Sequence, residues 1–317
     1  MLNNTIKRYF APASTGNMSV GFDLLGAAFA PVDGSLLGDV LEIHGEAPEL
    51  TLTMSGRYLH QLPSSSAENL VIKAFYAFEQ ALGKTLPRLT LHLQKNLPVG
   101  SGLGSSACSI VVAFYAFNDY FGQPFNQAAL LNLMAVAEGG VSGSVHFDNV
   151  APSYLGGLQL MLPHSPKICR SLPWFEAWQV VLCYPGTVLS TKAAREVLPK
   201  QLALAHSITF AGALSRFVSA LYSQDEQDAA AALHDWVAEP ARLPLIPELT
   251  AMRTALSAMG VLHLGISGAG PTLFAVCNNA MIAEQAAHYL QTHYAKNQDA
   301  LTVVCRLANA GARALEN

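Results

Sequence analysis

The sequence predicts an α+β protein. Strand-like and helix-like segments come in mixed order rather than in regular alternation, the second half is helix-rich, and 51% of the 317 residues are apolar. That length suits two domains sharing one body, with ample apolar surface for a large core. Alternating apolar and polar residues mark strands at 41–44, 50–54 and 89–93. A helix is predicted to begin near Glu68, where Ser65 and Glu68 have capping-box spacing. Leu70, Ala74, Phe78 and Leu82 form its apolar face and Gly83 ends it. A second helix runs from Ser105 to about Tyr120, and a third from Gln127 to Glu138, stopping at Gly139 and Gly140. Residues 157–162 and 179–184 read as buried strands, with a loop over 163–173 between them. Helices follow at 191–198, 205–222, 226–237 and 247–259. The chain closes with strands at 261–266 and 272–277, a helix near 280–294 and a strand at 301–307. The domain boundary is placed in the 163–173 loop, giving an N-terminal domain of 1–165 and a C-terminal domain of 166–317.

Charge narrows the function classes. Lys and Arg total 18 against 22 acidic residues, a net charge of -4, and the basic residues form no patch in sequence. Nucleic-acid binding is therefore not expected. The first ten residues lack the apolar core of a signal peptide. The longest strongly apolar run, 110–117, is too short to span a bilayer. No membrane partner is expected, and a cytoplasmic location is. Five cysteines, an odd number with no zinc-ligand spacing, are expected to be reduced, packed thiols.

The most informative stretch is 97–108, which lies between a strand and a strongly apolar helix. Gly100, Gly102 and Gly104 let the backbone curl and approach a ligand without Cβ clashes. The following helix presents free N–H groups and the positive end of its dipole, which favours a phosphate. Ser105 and Ser106 add hydroxyls that donate to phosphate or ligate a cation. No Lys follows the last Gly, so this is not a Walker A loop. It is also a poor dinucleotide fingerprint, because the third Gly comes too early. A serine hydrolase is disfavoured as well: the nearest approach to its nucleophile motif, around Ser267, lacks the final glycine.

The run from Pro98 to Ala107 resembles the phosphate loop of the GHMP kinases. Two further stretches agree in family order: 12–26, containing Asn17 and Asp23, and 265–274, containing Gly268 and Gly270. The resemblance implies an N-terminal domain like ribosomal protein S5 domain 2, with a left-handed βαβ unit, and a ferredoxin-like C-terminal domain. It implies ATP and Mg²⁺ as cofactors. The nucleotide would lie against Asn69, Pro98, Val99, Gly100, Ser101, Gly102, Leu103, Gly104, Ser105, Ser106, Ala107 and Cys108, and the metal against Ser106 and Glu138.

Four segments (17–23, 146–152, 190–195 and 239–242) and the closing residues look like the homoserine-phosphorylating branch of that family, which serves threonine biosynthesis. By that resemblance Asn17, Asp23, His146, Thr191, Arg195 and Arg242 contact L-homoserine. The chemistry is consistent: the carboxylate of a zwitterion calls for guanidinium and its ammonium for an anion. Without the family, Arg195 and Arg242 would read as solvated surface residues, Asp23 as a turn former and Glu138 as a solvent-facing helix end. Many GHMP kinases place an aspartate to take the alcohol proton, and Asn149 stands at that position here. Phosphoryl transfer through a loose transition state tolerates the loss of an early proton acceptor. Catalysis is then expected from Asn149, Glu138 and Ser106 by positioning and charge stabilisation, with Asp148 and Asp23 left open as acceptors. The alternatives are another GHMP small-molecule kinase or an inactive sensor binding ATP and an amino acid. A homodimer is the expected assembly.

Overall fold

The alternation read in the sequence sets one face of each early strand into the core. In the computed structural model, which describes residues 6–62, 65 and 68–316, the N-terminal half opens with β1 (Lys7–Pro12), β2 (Ser14–Gly16) and β3 (Leu25–Pro31). β4 (Gly38–Ala47) and β5 (Thr51–Ser55) lead into helix α1 (Leu70–Leu82) and β6 (Arg88–Gln94). Leu89, Leu91 and Leu93 of β6 are buried while the residues between them are half-exposed. β5 pairs parallel with β6 across α1, which makes a βαβ unit, and β4 and β1 add antiparallel. Helix α2 (Ser105–Tyr120) packs on β1 and β4 of this sheet, and α3 (Gln127–Ser142) packs on α1 and α2. Phe75 and Phe78 of α1 pack on Phe117 of α2, with the Phe75 and Phe117 rings edge-on at 5.3 Å.

Two helix ends differ from the sequence expectation. Asn69, not the Ser65/Glu68 pair, caps α1: its side chain accepts from Val71 N at 2.9 Å, and Gly83 ends the helix at φ 70°. α3 does not stop at Gly139 and Gly140. It runs to Ser142 and ends at Gly143, whose φ of 89° is the left-handed turn a C-cap needs. Gly139 lies against Val145, where a Cβ would stand 3.0 Å from its Cγ2.

The chain then forms α4 (Val150–Leu155) and a hairpin of β7 (Leu158–Met161) and β8 (Cys169–Leu172). β8 occupies part of the predicted loop, and residues 162–168 are the turn in which the expected boundary falls. After β9 (Gln179–Tyr184) come α5 (Thr191–Glu196), α6 (Leu204–Ser223), α7 (Glu226–Ala232), α8 (Glu239–Arg242) and α9 (Leu249–Ala258). α7 stops five residues short of the predicted end, because Asp235 Oδ1 takes the backbone N–H groups of Val237 and Ala238 at 2.8 and 2.7 Å and turns the chain into α8. β10 (His263–Ile266), β11 (Leu273–Cys277), α10 (Ala280–His293), β12 (Leu301–Leu307) and β13 (Arg313–Leu315) complete the fold.

β13 returns to β1, giving a five-stranded sheet in the order β13-β1-β4-β6-β5. An eight-stranded sheet runs β10-β11-β9-β12-β3-β7-β8, with β2 added on β3. Its β9, β10, β11 and β12 are antiparallel in the order of a ferredoxin-like unit. The five cysteines are free thiols, and all but Cys169 are buried. α6 has the length and composition to cross a membrane, with 17% of its apolar window buried, which alone is weak evidence for a span.

Candidate active site

β6 hands the chain to the glycine-rich loop, and a buried charge holds the handover. Lys95, 2% exposed, sends its ammonium to Asp39 Oδ2 at 2.5 Å, Ser109 Oγ at 2.9 Å and the Ser105 carbonyl at 3.0 Å. The other oxygen of Asp39 accepts from Asn96 N and Leu97 N at 3.0 and 3.3 Å. One ion pair thus fixes both the start of the loop and the first turn of α2.

The loop is wedged between the other two glycine-containing motifs. Gly102 (φ 83°) and Gly104 (φ 63°) adopt left-handed conformations that disfavour other residues. A Cβ on Gly102 would lie 2.2 Å from the Ser267 carbonyl, and one on Gly104 2.3 Å from Ser14 Oγ. Ser267 Oγ lies 2.7 Å from both Thr15 Oγ1 and the Gly102 carbonyl. Thr272 N donates to Ser101 O at 3.1 Å and Ser14 N to Leu103 O at 3.2 Å. The three motifs spread over the sequence therefore meet at one loop, and α2 begins directly behind it.

Above this loop opens a cavity of about 390 Å³. At one end Ser106 Oγ, in the first turn of α2, donates to Glu138 Oε1 of α3 at 3.0 Å. A hydroxyl and a carboxylate oxygen side by side are the hard ligands that Mg²⁺ prefers, so these residues fit the cation the sequence implies. Asn149 lies between: its Oδ1 accepts from Ser14 Oγ at 3.3 Å and would be 2.9 Å from a Cβ on Gly104.

The opposite end gathers charges of both signs. Asp23 (φ 55°) and Asn17 (φ 75°) form a tight left-handed turn in which Asp23 N donates to Asn17 Oδ1 at 2.9 Å. Arg195 of α5 reaches both Asp23 oxygens, at 3.0 and 3.4 Å. His146 Nδ1 is 3.6 Å from Asp23 Oδ2 and its Nε2 2.5 Å from Ser144 Oγ. Burial pulls the His146 pKa down, with Arg195 adding to the fall and Asp23 opposing it. Arg242 is buried, donating from Nη1 to the Gly268 carbonyl at 2.8 Å and from Nε to Ala194 O at 3.1 Å. Thr191, Gly268 and Asp148 complete this end.

Every sequence-predicted contact lines the cavity except Pro98, Leu103 and Cys108. Leu103 is buried in the core beneath the loop, and Cys108 Sγ points away to the Ala11 carbonyl at 3.1 Å. These three support the loop rather than face its ligand side. Sequence reasoning missed Lys95, Asp39 and Ser109. Lys95 sits where the strand alternation ends, and a charged residue at that junction was the one available signal.

Models of this family match both halves: GHMP kinases N terminal domain over residues 69–157 and GHMP kinases C terminal over 217–296, together just over half the chain. Among solved structures, homoserine kinase from Cytophaga hutchinsonii superposes with a TM-score of 0.87 at 28% identity, covering 99% of this chain and 98% of that one. A Listeria monocytogenes protein assigned as a homoserine kinase follows at 0.75 and 21%, over 99% and 100%. L. major mevalonate kinase matches at 0.68 and 16%, over 94% and 95%. The chain belongs to the GHMP kinases and has their two-domain α+β fold. Kinases of this family are phosphotransferases.

Proposed function

We propose that this kinase transfers the γ-phosphoryl group of ATP to the hydroxyl of L-homoserine, giving O-phospho-L-homoserine for threonine biosynthesis. The observation that carries the reading is the paired charge at one end of the cavity. Asp23 and Arg195 offer an anion and a guanidinium side by side, with buried Arg242 behind them. A small zwitterion matches that pattern, whereas a hydroxy acid matches half of it and an uncharged sugar none. The 28% identity with the Cytophaga enzyme over nearly the full length supports the same substrate.

In this reading the phosphate loop and the N-terminus of α2 cradle the nucleotide phosphates. Mg²⁺, held by Ser106 and Glu138, would neutralise charge on the phosphate oxygens. Arg195, Arg242 and Thr191 take the carboxylate, Asn17 and Asn149 orient the hydroxyl, and His146 adds a polar contact. The hydroxyl oxygen forms a bond to phosphorus as the bond to ADP breaks. The hydroxyl proton leaves late, to the transferred phosphoryl group. The domain division at 165/166, a cytoplasmic location and a homodimer go with this reading.

Coupled ADP release with MgATP tests it. Turnover is expected with L-homoserine and little with mevalonate. Folded protein that binds both ligands without turnover would favour the sensor reading, and turnover of mevalonate instead would overturn the substrate assignment.

A further inference from the structure

Asp148 is an acidic side chain at the substrate end that forms no ion pair among the described residues. It is 5% exposed and lines the cavity. Apart from its own backbone N–H, no donor among the described residues reaches its carboxylate. Two glycines leave room for it. A Cβ on Gly16 would stand 2.1 Å from Asp148 Oδ2, and one on Gly26 1.7 Å from its backbone carbonyl. The carboxylate is therefore packed directly against Gly16 of β2, in space that any side chain there would fill. Ligand atoms of Asp148, Asp23 and His146 lie within 4.8 Å of one another. Across the same end, Arg195 Nε is buried without a hydrogen-bond partner. A carboxylate without a side-chain partner and an orphan donor thus lie at one end of the cavity.

A buried carboxylate without a partner costs free energy unless a ligand supplies one. The missing partner is a cation, because Asp23 already stands close by with the same charge. A monocation fits better than a dication, since Arg195 occupies both oxygens of Asp23. Resting on the homoserine reading, we propose that Asp148 is a substrate-binding residue whose carboxylate holds the ammonium group of the substrate, so that this group sits between Asp148 and Asp23 rather than on Asp23 alone. The substrate carboxylate then completes Arg195. Burial first and repulsion from Asp23 second push the Asp148 pKa up to about 7, Glu138 adding and Arg195 opposing. His146 and Arg242 are the other titratable groups facing it. An arriving ammonium reverses that balance and favours the ionised carboxylate.

The test is a two-by-two set of steady-state measurements at saturating MgATP. Wild type and Asp148→Asn are each given L-homoserine and 4-hydroxybutanoate, which lacks the ammonium. Asp148→Asn is expected to raise the KM for homoserine on the order of 10- to 100-fold, with kcat within a few-fold and the KM for 4-hydroxybutanoate unchanged. The wild-type KM for homoserine should also fall from pH 6 to 8, and that slope should flatten in the variant. A fall in kcat with both substrates would make Asp148 a proton acceptor instead, and a parallel rise in both KM values would make it structural. Either outcome overturns the assignment, as does an unchanged KM for homoserine. Wild-type turnover of homoserine tests the parent reading separately.

Discussion

Asp148 shows how a single side chain is set against the stability of the fold for the sake of the site. Its carboxyl titrates near 7 in the folded chain against 3.8 as its ordinary value, because burial and Asp23 disfavour the charge. A carboxyl whose folded pKa is raised stabilises the fold below its unfolded pKa, and that contribution is lost as pH rises through the folded one. Ionised Asp148 therefore destabilises the fold at pH 8 when no ligand is added, by up to about 4 kcal/mol at roughly 1.4 kcal/mol per pKa unit. Asp148→Asn removes the charge and keeps the shape. Its urea midpoint should exceed that of wild type at pH 8, and the gap should close as the pH falls toward about 4. A variant less stable than wild type at pH 8 would contradict the unpaired-charge account. Arg195 shows the complementary case. Its fork is satisfied by Asp23 while its Nε waits buried. The site thus neutralises part of its own charge and leaves one donor for a ligand.

The elements that the sequence made legible are those with a period. β6 alternates along its length, and its predicted core, 89–93, lies within the observed Arg88–Gln94. β9, β12 and α2 match their predicted bounds, β9 because it is an apolar run between clear stops. β3 escaped for the opposite reason. It is buried on both faces, so it shows no alternation, and its residues read as part of a glycine motif. β2 and β13 have three residues each, too short for any period to register. At the site, glycines and serines announced the phosphate loop, but nothing in the pattern announced that Lys95 turns inward to Asp39. That pair governs the seam between β6 and α2. Lys95→Met strands a buried carboxylate and should cost roughly 3–5 kcal/mol in a urea titration. Adding Asp39→Asn removes the stranded charge and keeps an acceptor for Asn96 N and Leu97 N, so the double variant should regain much of that loss. In both variants the KM for ATP should rise more than that for homoserine, because the seam positions the phosphate loop and not Asp23 or Arg195. A double variant no more stable than the single one would mean that Lys95 acts by packing.

At the scale of the molecule, the two halves share what separate domains would each own. The eight-stranded sheet carries β3 and β7 of the first half between β12 and β8 of the second. The last strand, β13, closes on β1, with Arg313 over the Phe10 ring at 4.7 Å. One hydrophobic cluster runs from Tyr9 to Cys305. The cavity is assembled the same way: Asn17, Asp23 and the phosphate loop come from the first half, and Arg195, Arg242 and Gly268 from the second. Neither half can bury its share of the shared sheet alone, so the two should unfold together despite matching separate family models. The three tryptophans, Trp174, Trp178 and Trp236, all lie in the second half, and their fluorescence follows that half alone. Amide exchange of β6 and α2, read along the same urea series, follows the first. The two probes are expected to give one midpoint. Saturating homoserine alone should move both by the same amount, since ligand held between the halves stabilises only the joined state; at about 100 times Kd that is roughly 2.7 kcal/mol. Two separated midpoints, or a ligand shift confined to one probe, would show that the shared sheet does not couple the halves and that each folds as a unit.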